Sequence, residues 1–308
     1  MREADMAGLI AAVMQGDLQE PVGDLIPIHE YGSVNEVFLV RGRDDEYVIR
    51  LQREESRTVA EFAKEAWCLA AAAKVGIPSP RVLSLGRNSG WCYMIQNKLP
   101  GINGSALSPG EQLLIWQRLG DYVRRMATIP VTGFGDKIME GVPAAFNDRW
   151  ERYLSYNLGM LTEEDPLILE GIFTIREHRQ LKETLSELAS ASFSFGLTHG
   201  DLSPKNVMVD RQQVYLLDWG TAECHVSPHM ELGLLMTSDR DRLDQQQWDA
   251  FATGLQISQD SFSAMIPTIG KLVLLKRLDK YRWATEHRIA GLDGFVNRLR
   301  SAWDMMAE

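Results

Sequence analysis

The sequence predicts an α+β fold with two lobes: a small antiparallel β lobe that contains one internal helix, and a larger, mainly helical lobe. Apolar and polar residues alternate over residues 25–52, whereas helical spacing dominates from residue 108 onward. A segment with proline and glycine separates these regions, so we place the boundary near Asn97, giving lobes 1–97 and 98–308. The length of 308 residues allows each lobe to bury its own core.

The predicted N-terminal lobe begins with a helix and continues as a sheet. Residues 25–52 contain three runs with strand alternation, LIPIHEY, EVFLV and EYVIRL. From 57 to 74 the spacing becomes helical, and a Gly-Ile-Pro sequence at 76–78 ends that helix. Two further strands over 81–85 and 91–96 flank a turn. The helix therefore lies between the third and fourth strands.

Helices are predicted to dominate the C-terminal lobe. Pro100 and Gly101 interrupt regular structure just beyond the boundary. Ser108 with Glu111 forms the sequence of a capping box, which opens a helix that continues to about residue 127. Further helical patterns cover residues 147–161, 177–190, 229–237, 244–256 and 278–304.

Composition excludes several classes of protein and partner. Lys and Arg total 32 against 42 Asp and Glu, and this net charge of −10 disfavours nucleic acid. An acidic surface either attracts cationic ligands by long-range steering or serves solubility alone. No apolar run approaches the roughly 20 residues that span a bilayer. The three cysteines match neither a disulfide framework nor a zinc site. We therefore expect a cytoplasmic protein without a membrane partner, and the oligomeric state stays open.

The residues that indicate chemistry lie between 197 and 220. One loop carries Asp201 and Asn206, two short apolar strands follow, and a second acidic loop contains Asp218. A hairpin of those strands would bring Asn206 and Asp218 to one end, where oxygen ligands can hold Mg²⁺ against nucleotide phosphates. Asp201 would accept a proton from an attacking hydroxyl. Phosphoryl transfer requires this combination of a base and a metal clamp.

These motifs resemble those of the aminoglycoside phosphotransferases and related small-molecule kinases of the protein-kinase-like fold. The resemblance rests on the sequence HGD ending at Asp201, on Asn206, and on the sequence LDWG around Asp218. Protein kinases have Arg in the middle of the first motif and Phe after the metal-binding Asp. The resemblance extends over about residues 25–240. It implies that lobe 1–97 binds nucleotide and that the second lobe contains the catalytic and acceptor-binding residues.

The resemblance also implies a phosphate site in the N-terminal lobe for ATP or GTP. Gly32 and Ser33 would lie in the loop over the phosphates, where backbone N–H groups and a hydroxyl can bind oxygen atoms. Arg50 stands in the third strand, where protein kinases use a lysine to hold the α- and β-phosphates. Glu65 on the following helix is its expected partner. The competing interpretation of Arg50 is an exposed strand charge.

Three further residues complete the predicted site. Gln96 and Lys98 belong to the expected hinge, where backbone groups would bind adenine. Lys205 would reach the transferring phosphoryl group and offset its negative charge, or would be a solvent-exposed lysine. His199 is expected to brace the catalytic loop by hydrogen bonding.

The sequence indicates the reaction better than the acceptor. The acidic residues 163–165 suit amino sugars and the aromatic residues Trp150 and Tyr153 suit quaternary ammonium, but an acidic turn and helix packing explain them as well. Four residues after the metal loop are candidates for the acceptor entrance, and a helix over 230–233 is expected to support the catalytic loop. The four candidates are Glu223, His225, His229 and Glu231.

These observations predict a phosphotransferase that moves the γ-phosphoryl group of ATP or GTP to a hydroxyl of a small, cationic molecule. An aminoglycoside-like amino sugar is favoured, and choline, ethanolamine or homoserine are the alternatives. A nucleotide-binding pseudoenzyme is the alternative from another class, suggested by Arg50 and by the single glycine in the phosphate loop. A protein kinase is disfavoured by both motifs.

Overall fold

The computed structural model of the chain describes residues 3–28, 35–55, 58–136, 149–238 and 243–307. Their packing divides them into two compact units. The first unit contains the residues up to Ile115 together with Ser203–Ala222, and the second contains the others. The predicted lobe boundary near Asn97 stays a prediction.

The first unit contains a five-stranded antiparallel sheet with one helix before it and one within it, as predicted. The strands have the spatial order β1-β2-β3-β5-β4. Helix α1 is Glu3–Leu18, and α2 is Thr58–Lys74, between the third and fourth strands. The strands are β1 (Leu25–Pro27), β2 (Glu36–Arg41), β3 (Glu46–Arg53), β4 (Val82–Asn88) and β5 (Trp91–Asn97).

Side chains of β3 alternate between the two faces of this sheet. Ile49 and Leu51 are buried in one core with Ile10 of α1. Because successive side chains of a strand point to opposite faces, Arg50 faces the other side. There Phe62 of α2 packs on Cys92 and Met94 of β5. The sheet therefore directs Arg50 toward α2.

A second sheet of the first unit contains the predicted hairpin. Its strands have the order β6-β8-β9, and both pairs are antiparallel. In chain order these strands and the intervening β7 are β6 (Ile102–Asn103), β7 (Phe195–Thr198), β8 (Val207–Asp210) and β9 (Gln213–Leu216). Strand β6 corrects the expectation that the residues after Pro100 have no regular structure, because their backbone pairs with β8.

The second unit is mainly helical, as predicted. Helix α3 (Pro109–Met126) begins in the first unit and continues into the second. It starts at the predicted capping box, where Glu111 Oε2 accepts hydrogen bonds from the backbone N–H and the hydroxyl of Ser108. No helix of the described residues has the length and apolar character needed to cross a membrane. The other helices are α4 (Trp150–Gly159), α5 (Pro166–Leu169), α6 (Ile175–Ser186), α7 (His229–Met236), α8 (Gln245–Leu255), α9 (Gln259–Glu286) and α10 (Leu292–Ala307).

The single helix predicted over residues 278–304 is wrong, because this region belongs to both α9 and α10. Between them Arg288 and Gly291 have positive φ angles of 51° and 79°, which a continuing α-helix does not permit. Helix α9 also contains Pro267. Since a proline usually predicts a helix boundary, the sequence does not indicate the first turns of α9.

The second unit also contains a two-stranded antiparallel sheet that the sequence did not predict. It consists of β7 and β10 (Glu223–Val226), and Glu223 lies opposite Thr198. The Thr198 hydroxyl donates a hydrogen bond of 3.0 Å to the carbonyl oxygen of Glu223. Because β7 leads directly into the loop with Asp201, Glu223 lies at the end of the sheet from which that loop departs.

Two glycines allow α3 and α8 to approach closely. A Cβ atom on Gly120 would lie 2.0 Å from the carbonyl oxygen of Phe251, and one on Gly254 would lie 1.8 Å from that of Gln117. Neither distance is compatible with van der Waals contact. Larger residues at these two positions would therefore separate the helices.

Candidate active site

Arg50 and Glu65 form an ion pair in the first unit. The side chain of Arg50 is 14% exposed and that of Glu65 is 4% exposed, so Arg50 is not an exposed strand charge. The guanidinium carbon lies 5.7 Å from the ring centre of Phe62. Because Glu65 follows Phe62 by three residues, both lie on the same face of α2. The pair is shielded from water, and its role in nucleotide binding stays a prediction.

Asp218 adds a second carboxylate to this region. Burial raises the pKa of Glu65, the Arg50 guanidinium acts in the opposite direction, and the negative charge of Asp218 raises the pKa further. Asp218 has a left-handed backbone conformation, with φ 55° and ψ 71°. Residues other than glycine rarely adopt it, and such strain is concentrated at functional sites. The charge of Lys64 lowers the pKa of Glu65 as that of Arg50 does, so two positively charged side chains interact with this carboxylate.

The hairpin brings Asn206 and Asp218 to the same end of its two strands. Val207 pairs with Leu216, and the N–H of Leu217 donates a hydrogen bond of 2.9 Å to the carbonyl oxygen of Asn206. The described residues contain no group of three or more His, Cys, Asp or Glu side chains arranged to hold a metal. One carboxylate and one amide oxygen fit Mg²⁺, which keeps several water ligands and binds phosphate oxygens.

Lys205 lies in the same loop as Asn206, within the single helical turn Pro204–Asn206. Its carbonyl oxygen accepts a hydrogen bond of 2.7 Å from Asn103 Nδ2. Asn103 belongs to β6, so the sheet holds the backbone of this loop. The predicted role of Lys205 at the phosphoryl group stays a prediction.

Four other residues were predicted to bind nucleotide, and two of them, Gln96 and Lys98, lie at the end of β5. Gln96 is buried on β5 opposite Val48. Lys98 directs its Nζ to Glu46 Oε2 at 2.6 Å, and its backbone N–H donates to the carbonyl oxygen of Glu46 at 3.0 Å. Gly32 and Ser33 lie outside the described residues. Nucleotide binding by all four residues stays a prediction.

Asp201 belongs to the second unit, where Glu231 holds its loop. The carboxylate of Glu231 on α7 accepts hydrogen bonds from the N–H groups of His199, at 2.6 Å, and Gly200, at 3.2 Å. The N–H of Asp201 donates to His199 Nδ1 at 3.3 Å. The sequence predicted that a helix over 230–233 supports this loop, and Glu231, which was also a candidate for the acceptor entrance, makes the supporting contact.

Burial determines the protonation of Glu231, which is 1% exposed. Burial raises its pKa to about 7, although the backbone N–H groups of Gly200 and His199 lower it. The negative charge of Glu223 adds to the increase. The carboxylate that accepts hydrogen bonds from the loop before Asp201 therefore titrates near neutral pH.

Several of the acceptor candidates are buried, among them His225 and Trp150. His225 is 3% exposed and Trp150 is 8% exposed, and both rings pack against Phe134. Burial lowers the pKa of His225 to about 3, so its ring is neutral at physiological pH. Glu223 is different, because its side chain is 19% exposed and forms an ion pair with Lys276. Of these three candidates, only Glu223 remains accessible.

Comparisons with known proteins identify the family and the fold. The family model described as "Phosphotransferase enzyme family" matches residues 26–264. Aminoglycoside 2'-phosphotransferase-IIIa in its GDP complex is similar in structure, with a TM-score of 0.70 and 15% identity over 99% of each chain. A thermostable mutant of aminoglycoside phosphotransferase APH(4)-Ia with ADP and hygromycin B gives a TM-score of 0.66 and 16% identity, over 96% of this chain and 98% of that chain.

A protein from Haemophilus somnus 129PT, named as a fructosamine-3-kinase, gives a TM-score of 0.61 and 12% identity over 98% of each chain. No curated protein sequence gives a significant match. The structural similarities confirm the predicted protein-kinase-like fold. The match to the family model extends over more than half of the chain and confirms the predicted enzyme class. This chain belongs to the phosphotransferase enzyme family.

Proposed function

We propose that this protein transfers the γ-phosphoryl group of ATP or GTP to a hydroxyl of a small molecule. The observation that carries the proposal is the buried Arg50–Glu65 pair next to the strained residue Asp218. The guanidinium would bind donor phosphates, and Glu65 would fix its orientation. The structures with GDP and with ADP support a nucleotide donor.

Asp218 and Asn206 would hold Mg²⁺ in this proposal. When bound, the ion offsets negative charge on the transferred phosphoryl group. Asp201 would orient the acceptor hydroxyl and accept its proton. Glu231 holds the backbone N–H groups of His199 and Gly200, and the His199 ring holds the backbone N–H of Asp201. Lys205 would add a positive charge near the phosphoryl group.

The acceptor is proposed at the level of a hydroxyl-bearing small molecule with a cationic group. The complex with hygromycin B supports an aminoglycoside-like acceptor, whereas choline, ethanolamine and homoserine are smaller alternatives with one cationic nitrogen. The three cysteines are buried and free, which supports the expected cytoplasmic location.

Nucleotide consumption tests the proposal directly. ATP and GTP would be supplied with kanamycin, hygromycin B, choline, ethanolamine or homoserine, and phosphorylated acceptor would be detected by its mass. We expect at least one acceptor to stimulate consumption in the parent and not in Asp201→Asn. Nucleotide binding without transfer to any hydroxyl would instead favour the pseudoenzyme.

A further inference from the structure

A cavity of the first unit takes no part in the proposed transfer, and we call it the outer cavity. Its volume is about 770 Å³, within the range of about 300–1,000 Å³ that is typical of small-molecule sites. The end of α1, the turn between β2 and β3, the start of β4 and the chain after β5 surround it. The polar residues that define it are Glu20, Asp44, Asp45, Glu46, Tyr47 and Arg81.

The outer cavity lies on the face of the sheet opposite the proposed phosphate site. Tyr47 lines the cavity and packs in the core that contains Ile49 of β3 and Ile10 of α1. Because alternate side chains of a strand share a face, Tyr47 and Arg50 point to opposite sides of β3. A molecule in the outer cavity would therefore not occupy the place of donor phosphates at Arg50.

The hydroxyl of Tyr47 is an independent sign of a ligand. Tyr47 is 7% exposed, and its hydroxyl makes no hydrogen bond with any other residue that the structure describes. Burial raises the pKa of Tyr47, and the negative charges of Glu20, Asp45 and Asp44 raise it further. The hydroxyl therefore stays protonated at neutral pH, close to three carboxylates. Since buried polar groups are normally hydrogen-bonded, a donor in the cavity would satisfy its oxygen.

The turn between β2 and β3 presents two of these carboxylates in a fixed backbone. The N–H of Gly42 donates a hydrogen bond of 2.8 Å to the carbonyl oxygen of Asp45, and the N–H of Arg43 donates one of 2.9 Å to Glu20 Oε2. Within the described ranges, neither Asp44 nor Asp45 forms an ion pair through its side chain. Both carboxylates are thus available to a ligand without rearrangement of the turn.

The charges that line the outer cavity favour a cation. Four carboxylates and two cationic side chains line it, which leaves two net negative charges. Lys98 Nζ lies 2.6 Å from Glu46 Oε2, so these two side chains neutralise each other. Arg81 then remains with three carboxylates. A positive ligand gains from this excess, whereas a negative one is repelled.

Apolar side chains in the same cavity favour an organic cation. Leu18, Leu83 and Leu99 line it together with Pro100, and Leu83 is 37% exposed. The described residues do not arrange the nearby carboxylates as a metal site. A hydrocarbon body would cover the leucines while a charged end reaches the carboxylates, as is typical of ligand pockets with apolar walls and a few polar groups.

We propose that the outer cavity binds a small organic cation that has an apolar body. The ammonium group donates hydrogen bonds to the Tyr47 hydroxyl and to the carboxylates of Asp44 and Asp45, and the body packs on Leu18 and Leu83. This site is separate from the proposed phosphotransfer and adds a second ligand to the chain.

Three probes with the same apolar body test this inference on the full chain. They are 4-phenylbutylamine, 4-phenylbutan-1-ol and 4-phenylbutanoate, and titration of the ¹⁵N-labelled chain would give the Kd and the location of each. We expect the amine to bind about tenfold or more tightly than the other two, as one charge-assisted hydrogen bond implies. The amine should shift the amide signals of Asp45, Tyr47 and Lys98.

Variants assign the contacts of the ammonium group. The double variant Asp44→Asn with Asp45→Asn should remove most of the preference for the amine over the alcohol. Tyr47→Phe should weaken amine binding about 2–10-fold, because it removes one hydrogen bond and keeps the ring. Glu61→Gln, on the exposed surface of α2, is the matched control and should bind the amine as the parent does. The spectrum of each variant shows whether it is folded.

Three results would overturn the inference. One is equal affinity for the amine, the alcohol and the carboxylate, and another is the absence of amine-induced shifts at the residues of the outer cavity. The third is displacement of the amine by kanamycin or by Mg²⁺ with a non-hydrolysable nucleotide, which would place the amine in the proposed active site. Retention of the amine with nucleotide bound would support a separate site.

Discussion

Arg50 reaches Glu65 from a neighbouring strand while its guanidinium lies over the ring of Phe62. This contact makes the arginine part of the folded core as well as of the proposed phosphate site. Removing its charge would leave Glu65 buried without a cation, at a cost of roughly 3–5 kcal/mol of stability. A useful substitution must therefore keep the charge.

Arg50→Lys should raise the nucleotide KM and lower kcat/KM by about 10–100-fold, because lysine keeps the charge but loses the bidentate geometry worth roughly 1.5–3 kcal/mol. Arg41→Lys is the matched control, since Arg41 lies on the adjacent strand and its side chain is 59% exposed. Steady-state kinetics would measure both variants. A parental nucleotide KM and turnover in Arg50→Lys would show that Arg50 does not bind the donor phosphates.

Asp201→Asn should reduce kcat by about 10²–10⁴-fold, the typical contribution of a general base, and leave nucleotide affinity nearly unchanged. The amide keeps the size of the side chain but does not accept the proton. Turnover with the phosphorylated acceptor and calorimetry with nucleotide would separate these two effects. Near-parental kcat would show that another group is the base.

Asp218→Ala should weaken nucleotide binding about tenfold or more in the presence of Mg²⁺, and change it little without the ion. The reason is that the metal loses a charged ligand that Asn206 and water do not replace. Asp210→Ala is the control, because Asp210 lies at the opposite end of the same hairpin. Equal Mg²⁺ dependence in the parent and in Asp218→Ala would contradict the metal role.

Glu231→Gln should change how stability depends on pH. The pKa of Glu231 rises from its usual value of 4.5 to about 7 in the folded chain. Between pH 4.5 and pH 7 the Glu231 carboxyl is protonated in the folded chain and ionised in the unfolded chain. The stability that this proton contributes is therefore complete below pH 4.5, and it is lost as the pH rises to about 7. At about 1.4 kcal/mol per pH unit, the parent should lose roughly 3 kcal/mol relative to the variant.

Urea unfolding at pH 4.5 and pH 8 would test the Glu231 prediction. Glu183→Gln on the exposed surface of α6 is the control and should follow the parent at both pH values. A constant difference between Glu231→Gln and the parent would show that Glu231 does not titrate in this range.

Local patterns made part of the site predictable from the sequence. Strand alternation placed Arg50 on one face of the sheet, helical spacing placed Glu65 on the inner face of α2, and short strands around a turn placed Asn206 near Asp218. Each of these relationships repeats over a few residues and therefore leaves a periodic signal.

Contacts between distant segments left no such signal. Lys276 meets Glu223 across 53 positions, and Glu231 reaches the N–H of His199 across 32. Strands β7 and β10 are four residues each, too short for a periodic pattern. Because Pro267 interrupts the helical pattern, the sequence did not indicate the first part of α9, which includes Lys276.

Helix α9 fixes the register of two charged residues. Ile269 and Val273, near its middle, pack against Gly233 of α7, and Lys276 and Asp279 follow in its second half. Each residue added to a helix advances it by about 1.5 Å and turns it by about 100°. An insertion or deletion between Val273 and Lys276 would therefore rotate both charges away from Glu223 and Asn157. A single substitution on α9 alters one of these contacts at a time, whereas a change in the length of this segment separates Lys276 from Glu223 and Asp279 from Asn157 together.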